Sequence, residues 1–367
     1  MMHPGMRFRA SGRGAFCFIL VPVLAACGVS RWGGGIAPAG GGTGSSGAAG
    51  TSDKGGSQGG VSGSNVPASQ GADAGAQVAD AGLQSPDAGV RAADAAPPVA
   101  PLSGITVSIN GTVVPKEKVV VILHLGHSNM AGRAKDPADQ TPYFYDTDPH
   151  LWRYQVGGIW TPAKEWLCPD GGTPGITPSN QGAGPGMALL RSGLAVAPDS
   201  YFVSIGQGKA VEFMGNCFSF RKGGIFYETM MGPARELKGK VTFGGLFVML
   251  GIDARTDPRA QNGGFLACLN GMAADYRTDL GEPNLPIIVG DYERGATGLL
   301  SPTCCGAPQV IAQLAQVETT IPSSFLIPTD GIAMQDDHHY NMAGHRLWAD
   351  RAFAGMAAKG LLPWAKK

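Results

Sequence analysis

A serine, a histidine and an aspartate stand where they could transfer an acyl group through a nucleophilic side chain. Ser128 lies in Gly126-His127-Ser128-Asn129-Met130-Ala131-Gly132-Arg133, directly after the apolar run Val119 to Leu125. At a strand-to-helix turn a serine hydroxyl is exposed, and the first N–H groups of the following helix face a developing oxyanion. Serine is equally a favoured N-cap, so Ser128 by itself reads as either. Its partners lie near the other end, in Asp336-Asp337-His338-His339-Tyr340-Asn341-Met342-Ala343-Gly344. In Asp336-x-x-His339 the carboxylate can hold the imidazole in one tautomer while the other ring nitrogen takes a hydroxyl proton. Asp336 or Asp337 could instead cap a closing helix. The Asp/His cluster could also bind a metal, but no third separated ligand group stands out, so no metal or cofactor is expected.

For these residues to meet, two distant turns must reach one edge of a sheet. Val119 to Leu125 is apolar throughout, as a strand covered on both faces requires. Further strands fit Tyr201 to Ile205, Leu246 to Leu250, Pro286 to Val289 and Ser324 to Ile327, and helical patterns cover Phe265 to Leu280 and Pro308 to Thr319. Alternation of this kind predicts an α/β fold, a three-layer α/β/α sandwich with a five-stranded parallel sheet in flavodoxin-like order. Ligands of such sheets bind at the C-terminal strand ends, where Ser128 and His339 stand. Before the first core strand, Asn110-Gly111 between short apolar runs predicts a small hairpin. Trp152, Trp160 and Trp166 follow the first helix and serve either as sugar-stacking platforms or as packing.

The block Gly126 to Gly132 resembles the Gly-Gln-Ser-Asn-Met block of the sialate O-acetylesterase-like and acetylxylan-esterase-like branch of the SGNH (GDSL-type) hydrolases, and Asp336-x-x-His339 with Gly344 resembles that superfamily's closing block. Gly184-Pro185-Gly186, the stretch Gly157-Gly158-Ile159-Trp160 and Gly206-Gln207-Gly208 are also similar, and the resemblance spans about residues 118 to 356. It implies a carbohydrate O-acyl esterase, acetyl being the expected acyl group. Ser128 would be nucleophile, His339 base and Asp336 its orienter. The Ser128 N–H with Gly206 or Gly208 would form the oxyanion hole, with Asn129 or His127 as a substitute donor. His127, Arg133 and Trp160 would contact substrate. Two positions depart from the pattern: His127 stands where the family usually has Gln, and Leu250-Gly251-Ile252-Asp253 stands where it usually has Gln-Gly-Glu and a polar residue. An ionised Asp253 cannot donate a hydrogen bond. The competing reading is a carbohydrate-binding surface lipoprotein without catalysis on the same fold.

The rest of the chain bounds the setting. Arg7, Arg9 and Arg13 precede an apolar run, Ala15 to Ala26, too short for a permanent membrane span. It ends in Leu24-Ala25-Ala26-Cys27, which resembles a bacterial lipobox and implies lipidation at Cys27. Residues 1-27 would then be a lipoprotein signal, 28-100 a disordered Gly/Ser/Ala/Asp-rich tether and 101-367 the esterase domain. A tether of roughly 70 residues has a reach on the order of 45 Å. The expected site is the bacterial outer membrane or cell surface, with the membrane engaged only through the lipid. Export makes disulfides plausible among Cys168, Cys217, Cys268, Cys304 and Cys305, an odd set that leaves at least one unpaired and whose connectivity stays open. Lys+Arg and Asp+Glu each number 28, and no basic stripe is present, which argues against a nucleic-acid partner. An acylated carbohydrate is the partner expected.

Overall fold

The run Val119–Gly126 (β3) is buried at all eight positions, because it is covered on both faces and paired on both edges. The computed structural model describes residues 104–135, 141–168, 182–209 and 217–365. The chain divides into units 1–90 and 91–367, and every described residue lies in the second. Cys27, the signal and the whole of the expected tether lie outside the described residues. No described helix is long and apolar enough to cross a membrane.

The other strands are Thr106–Ile109 (β1), Thr112–Pro115 (β2), Leu151–Gln155 (β4), Ile159–Pro162 (β5), Tyr201–Gly208 (β6), Thr242–Met249 (β7), Ile287–Gly290 (β8) and Ser324–Ile327 (β9). The helices are Ser128–Ala131 (α1), Thr141–Tyr145 (α2), Gly186–Val196 (α3), Tyr227–Leu237 (α4), Gly251–Ala254 (α5), Gly264–Leu280 (α6), Ala307–Leu314 (α7), Val317–Thr320 (α8) and Met342–Ala358 (α9). One sheet runs in the order β5-β4-β6-β3-β7-β8-β9, parallel except for β5, which is antiparallel to β4. The three-layer α/β/α architecture stands, and the strand number is corrected from five to seven. The extra pair, β4 and β5, is the hairpin around Gly157-Gly158, which joins the sheet through β6.

Side chains of β3 alternate between two cores. Val119, Val121, Leu123 and Leu125 join α4, α6 and α7 on one face, and Val120 and Ile122 join α3 and α9 on the other. The β1–β2 hairpin turns at Asn110 (φ +46°) and Gly111 (φ +86°), as an Asn-Gly turn requires. Its Val107, Ile109 and Val114 are buried in the first core.

Cys217 and Cys268 form a disulfide that closes a sequence separation of 51 residues, and the neighbours Cys304 and Cys305 form another. The remaining cysteine of the described residues, Cys168, is buried, with its Sγ 3.5 Å from His124 Nδ1.

Candidate active site

The chain leaves β3 through Gly126 and His127 and enters the single turn of α1 at Ser128. Gly126 must be glycine: a Cβ there would lie 2.3 Å from the Met249 carbonyl oxygen of β7. The turn closes at Gly132, whose φ of +101° and close approach to the Gly182 carbonyl also exclude a side chain. Gly184 in turn backs onto the Met130 carbonyl, and an Ala134–Ala183 bridge fixes the segment. The first helical bond is from Ala131 N to the His127 carbonyl, so the N–H groups of Ser128 and Asn129 have no acceptor within the helix. Ser128 is half-buried, while Asn129 and Met130 beneath it are buried.

The histidine arrives from the loop between β9 and α9. Ser128 Oγ donates to His339 Nε2 at 2.9 Å, and His339 Nδ1 donates to Asp336 Oδ2 at 2.8 Å. The other Asp336 oxygen accepts the backbone N–H groups of His338 (3.0 Å) and His339 (2.7 Å). Burial pushes the Asp336 carboxyl up, but those N–H groups and the His339 ring outweigh it and bring it down to about 2. Burial lowers His339, against the raising effect of Asp336 and with help from His338 and Arg133. The imidazole is therefore neutral at neutral pH and free to accept a proton. Asn341, not Asp336 or Asp337, caps α9, its side chain accepting from Gly344 N at 2.7 Å. His338 bonds Asp337 at 2.6 Å, its ring lying 3.7 Å from that of His339, and it is His339 that meets Ser128.

Asn129 ties the two turns together. Its amide donates to the His338 carbonyl (3.0 Å) and to Glu293 Oε1 (3.3 Å), and its oxygen accepts from Tyr340 N (2.9 Å). Its donors are thus engaged, which removes its side chain from the expected oxyanion set. Glu293, in the turn after β8, escaped the sequence reading; burial pushes it up to about 7 against the Asn129 hydrogen bond. A search of the first three residues after each strand would have included it, since Glu293 lies three beyond Gly290.

The remaining expected contacts divide. Gly208 pairs with Gly126, two residues before Ser128, and packs on Ala131 of α1. Gly206 sits deeper, opposite His124, where a Cβ would meet the His124 ring at 2.5 Å and the Leu167 carbonyl at 2.6 Å. It lines a cleft of about 280 Å³ with Arg153, Tyr154 and Gln155, so its expected oxyanion role is withdrawn. Arg133 stays beside the site, close enough to lower His339. Trp160 lies on edge strand β5, with its ring 4.6 Å from that of Tyr154. His127 is buried and its Nδ1 bonds the Asp253 carboxylate, so it does not face a substrate. Among the described residues Asp336, His338 and His339 bring three possible metal ligands within 4.8 Å, but both His339 nitrogens already serve Ser128 and Asp336.

Residues 118–357 match the family model described as carbohydrate esterase, sialic acid-specific acetylesterase. Among solved structures, a protein from Arabidopsis thaliana is similar at 18% identity over 65% of this chain and 98% of its own, with a TM-score of 0.52. At that identity the likeness speaks for the fold. NanS is similar at 13% identity over 69% of this chain and 100% of its own, with a TM-score of 0.49. A carbohydrate acetylesterase from Xanthomonas citri is similar at 18% identity over 68% of this chain and 57% of its own, with a TM-score of 0.45. No curated protein matches the chain.

Proposed function

The chain belongs to the sialic acid-specific acetylesterase family of carbohydrate esterases, and as a carboxylic ester hydrolase of acetylated carbohydrates we propose that it works through Ser128 and a covalent acyl-enzyme. The observation that carries the reading is the unbroken chain of hydrogen bonds from Ser128 Oγ through both His339 nitrogens to Asp336. Ser128 Oγ attacks the acyl carbonyl carbon while His339 Nε2 takes the hydroxyl proton, and the carbonyl electron pair moves to oxygen. That oxyanion meets the Ser128 N–H, with the Gly208 N–H as second donor. Collapse breaks the bond to the sugar oxygen, which takes the proton from His339. Water then attacks the acyl-serine with His339 again as base, releasing the carboxylic acid and restoring Ser128. Arg133 is the substrate contact retained from the sequence reading.

The acyl group is proposed to be acetyl, and the protein is proposed to be exported and anchored through a lipid on Cys27. Hydrolysis of p-nitrophenyl acetate should exceed that of longer acyl esters, and peptide mass mapping during turnover should find the acyl group on Ser128. A folded wild-type chain that hydrolyses no ester would transfer the weight to a binding protein on this fold. Cys27→Ser should abolish acyl labelling and release the chain from membranes; unchanged fractionation would refute the anchor.

A further inference from the structure

We infer that His127 and Asp253 form a second histidine–carboxylate pair that positions the Ser128 N–H, the group meeting the oxyanion, so that both are positioning residues of the esterase reaction. The inference rests on Ser128 being the nucleophile. The peptide unit that carries the Ser128 N–H is the one joining it to His127, so whatever holds His127 aims that N–H. His127 is held twice by the same neighbour. Its backbone N donates to the Met249 carbonyl at the end of β7 (3.1 Å), and its ring Nδ1 bonds the Asp253 carboxylate in α5, the helix that follows β7. Its own backbone (φ −89°, ψ −147°) fits neither helix nor sheet, so hydrogen bonds rather than secondary structure must maintain it.

The pair is an expensive way to fill space. The His127 side chain is 5% exposed and that of Asp253 18%. An apolar pair would fill the same volume without removing an imidazole and a carboxylate from water. Burial holds the ring down, to about 3, so it stays neutral with its one proton on Nδ1, shared with Asp253. That proton also covers a carboxylate which would otherwise stand unscreened beside a developing negative charge. His127 is a position at which the sequence departs from the pattern it resembles, and Asp253, the polar residue that closes the other departing block, supplies its partner. Asn129 anchors the opposite side of Ser128, so the nucleophile is flanked by side chains committed to the segments that follow other strands.

The test is steady-state hydrolysis of an aryl acetate by the full chain. His127→Ala and Asp253→Ala should each lower kcat about tenfold to a hundredfold, less than deletion of an oxyanion donor, with KM within about twofold. The double variant should cost little more than either single one, as expected of a unit. Asp253→Asn, whose amide oxygen still accepts the Nδ1 proton, should recover most of the loss seen in Asp253→Ala. Affinity for an arylboronic acid, which adds to the serine as a tetrahedral anion, should fall in step with kcat, a correlation that a packing role would not produce. If His127→Ala does not fold, the Asp253 variants carry the same comparison. Wild-type kcat in folded Asp253→Ala, or a loss in Asp253→Asn as large as in Asp253→Ala, would overturn the pair. Full activity of Ser128→Ala would instead defeat the nucleophile reading on which it rests.

Discussion

The turn that carries Ser128 and the loop that carries His339 are built in opposite ways. Around Ser128 the backbone is fixed by contact: Gly126 lies against Met249, Gly132 against Gly182, and Gly184 against Met130. Around His339 the fixing is by hydrogen bonds in a loop whose Asp336 and Asp337 are exposed. Close packing of this kind does not itself depend on protonation, and the one imidazole in the turn, His127, is held neutral by burial. A loop ordered by a carboxylate and an imidazole changes with protonation. One half of the site therefore holds shape and the other holds charge.

Four measurements would break or sharpen that contrast. The largest effect is expected where the halves touch: Ser128→Ala and His339→Ala should each lower kcat by about 10³ or more, and the double change should add little. Multiplicative losses would show that the two halves do not act together. Next comes the close-packed half. Gly132→Ala places a Cβ 2.3 Å from the Gly182 carbonyl at a φ of +101°, so it should destabilise the fold by about 2 kcal/mol or more, seen as a lowered Tm. An unchanged melt would show that the turn yields.

The third addresses the charge-bearing half. Only neutral His339 accepts the serine proton, so kcat/KM should fall as pH drops through its pKa, which lies below the usual histidine value. Asp336→Asn removes the interaction that raises His339, so the acid limb should move further down in pH while the plateau falls by roughly 10². An upward shift would contradict the assigned pairing. The smallest effects belong to the two groups that lower His339. Arg133→Ala and His338→Ala should each move the acid limb up towards the ordinary value, and His338→Ala should keep most of the plateau. A larger loss at His338 than at His339 would reverse the assignment of the base.

The same contrast explains what the sequence disclosed. Asp336-x-x-His339 is legible because its partners are three residues apart, and Ser128 because it follows an apolar strand. The partnership of His127 with Asp253, or of Asn129 with Glu293, spans well over a hundred residues and is created only by the order of strands in the sheet. Strand limits show the same logic. Apolar patterning ends β6 at Ile205, but pairing with β3 carries it through Gly206 to Gly208, the register overriding glycine's turn preference. The same patterning begins β7 at Leu246, whereas the strand starts at Thr242 and absorbs Gly244 and Gly245 at a register shift opposite Val121 and Ile122. The expected helix Pro308 to Thr319 is interrupted between α7 and α8. β4 and β5 went unseen as part of the sheet because their attachment to β6 is a long-range pairing.

The Cys217–Cys268 bond reaches beyond the domain's own architecture. It joins the segment before α4 to α6 across 51 residues, and by loop entropy such a link restrains the unfolded chain by about 4 kcal/mol. That is a large part of the margin by which a domain of this kind outlasts its unfolded state. The same amino-acid sequence is therefore two materials, a sturdier one where thiols are oxidised and a frailer one where they are kept reduced. Durability here is shared between the polypeptide and the redox chemistry of the place in which it folds.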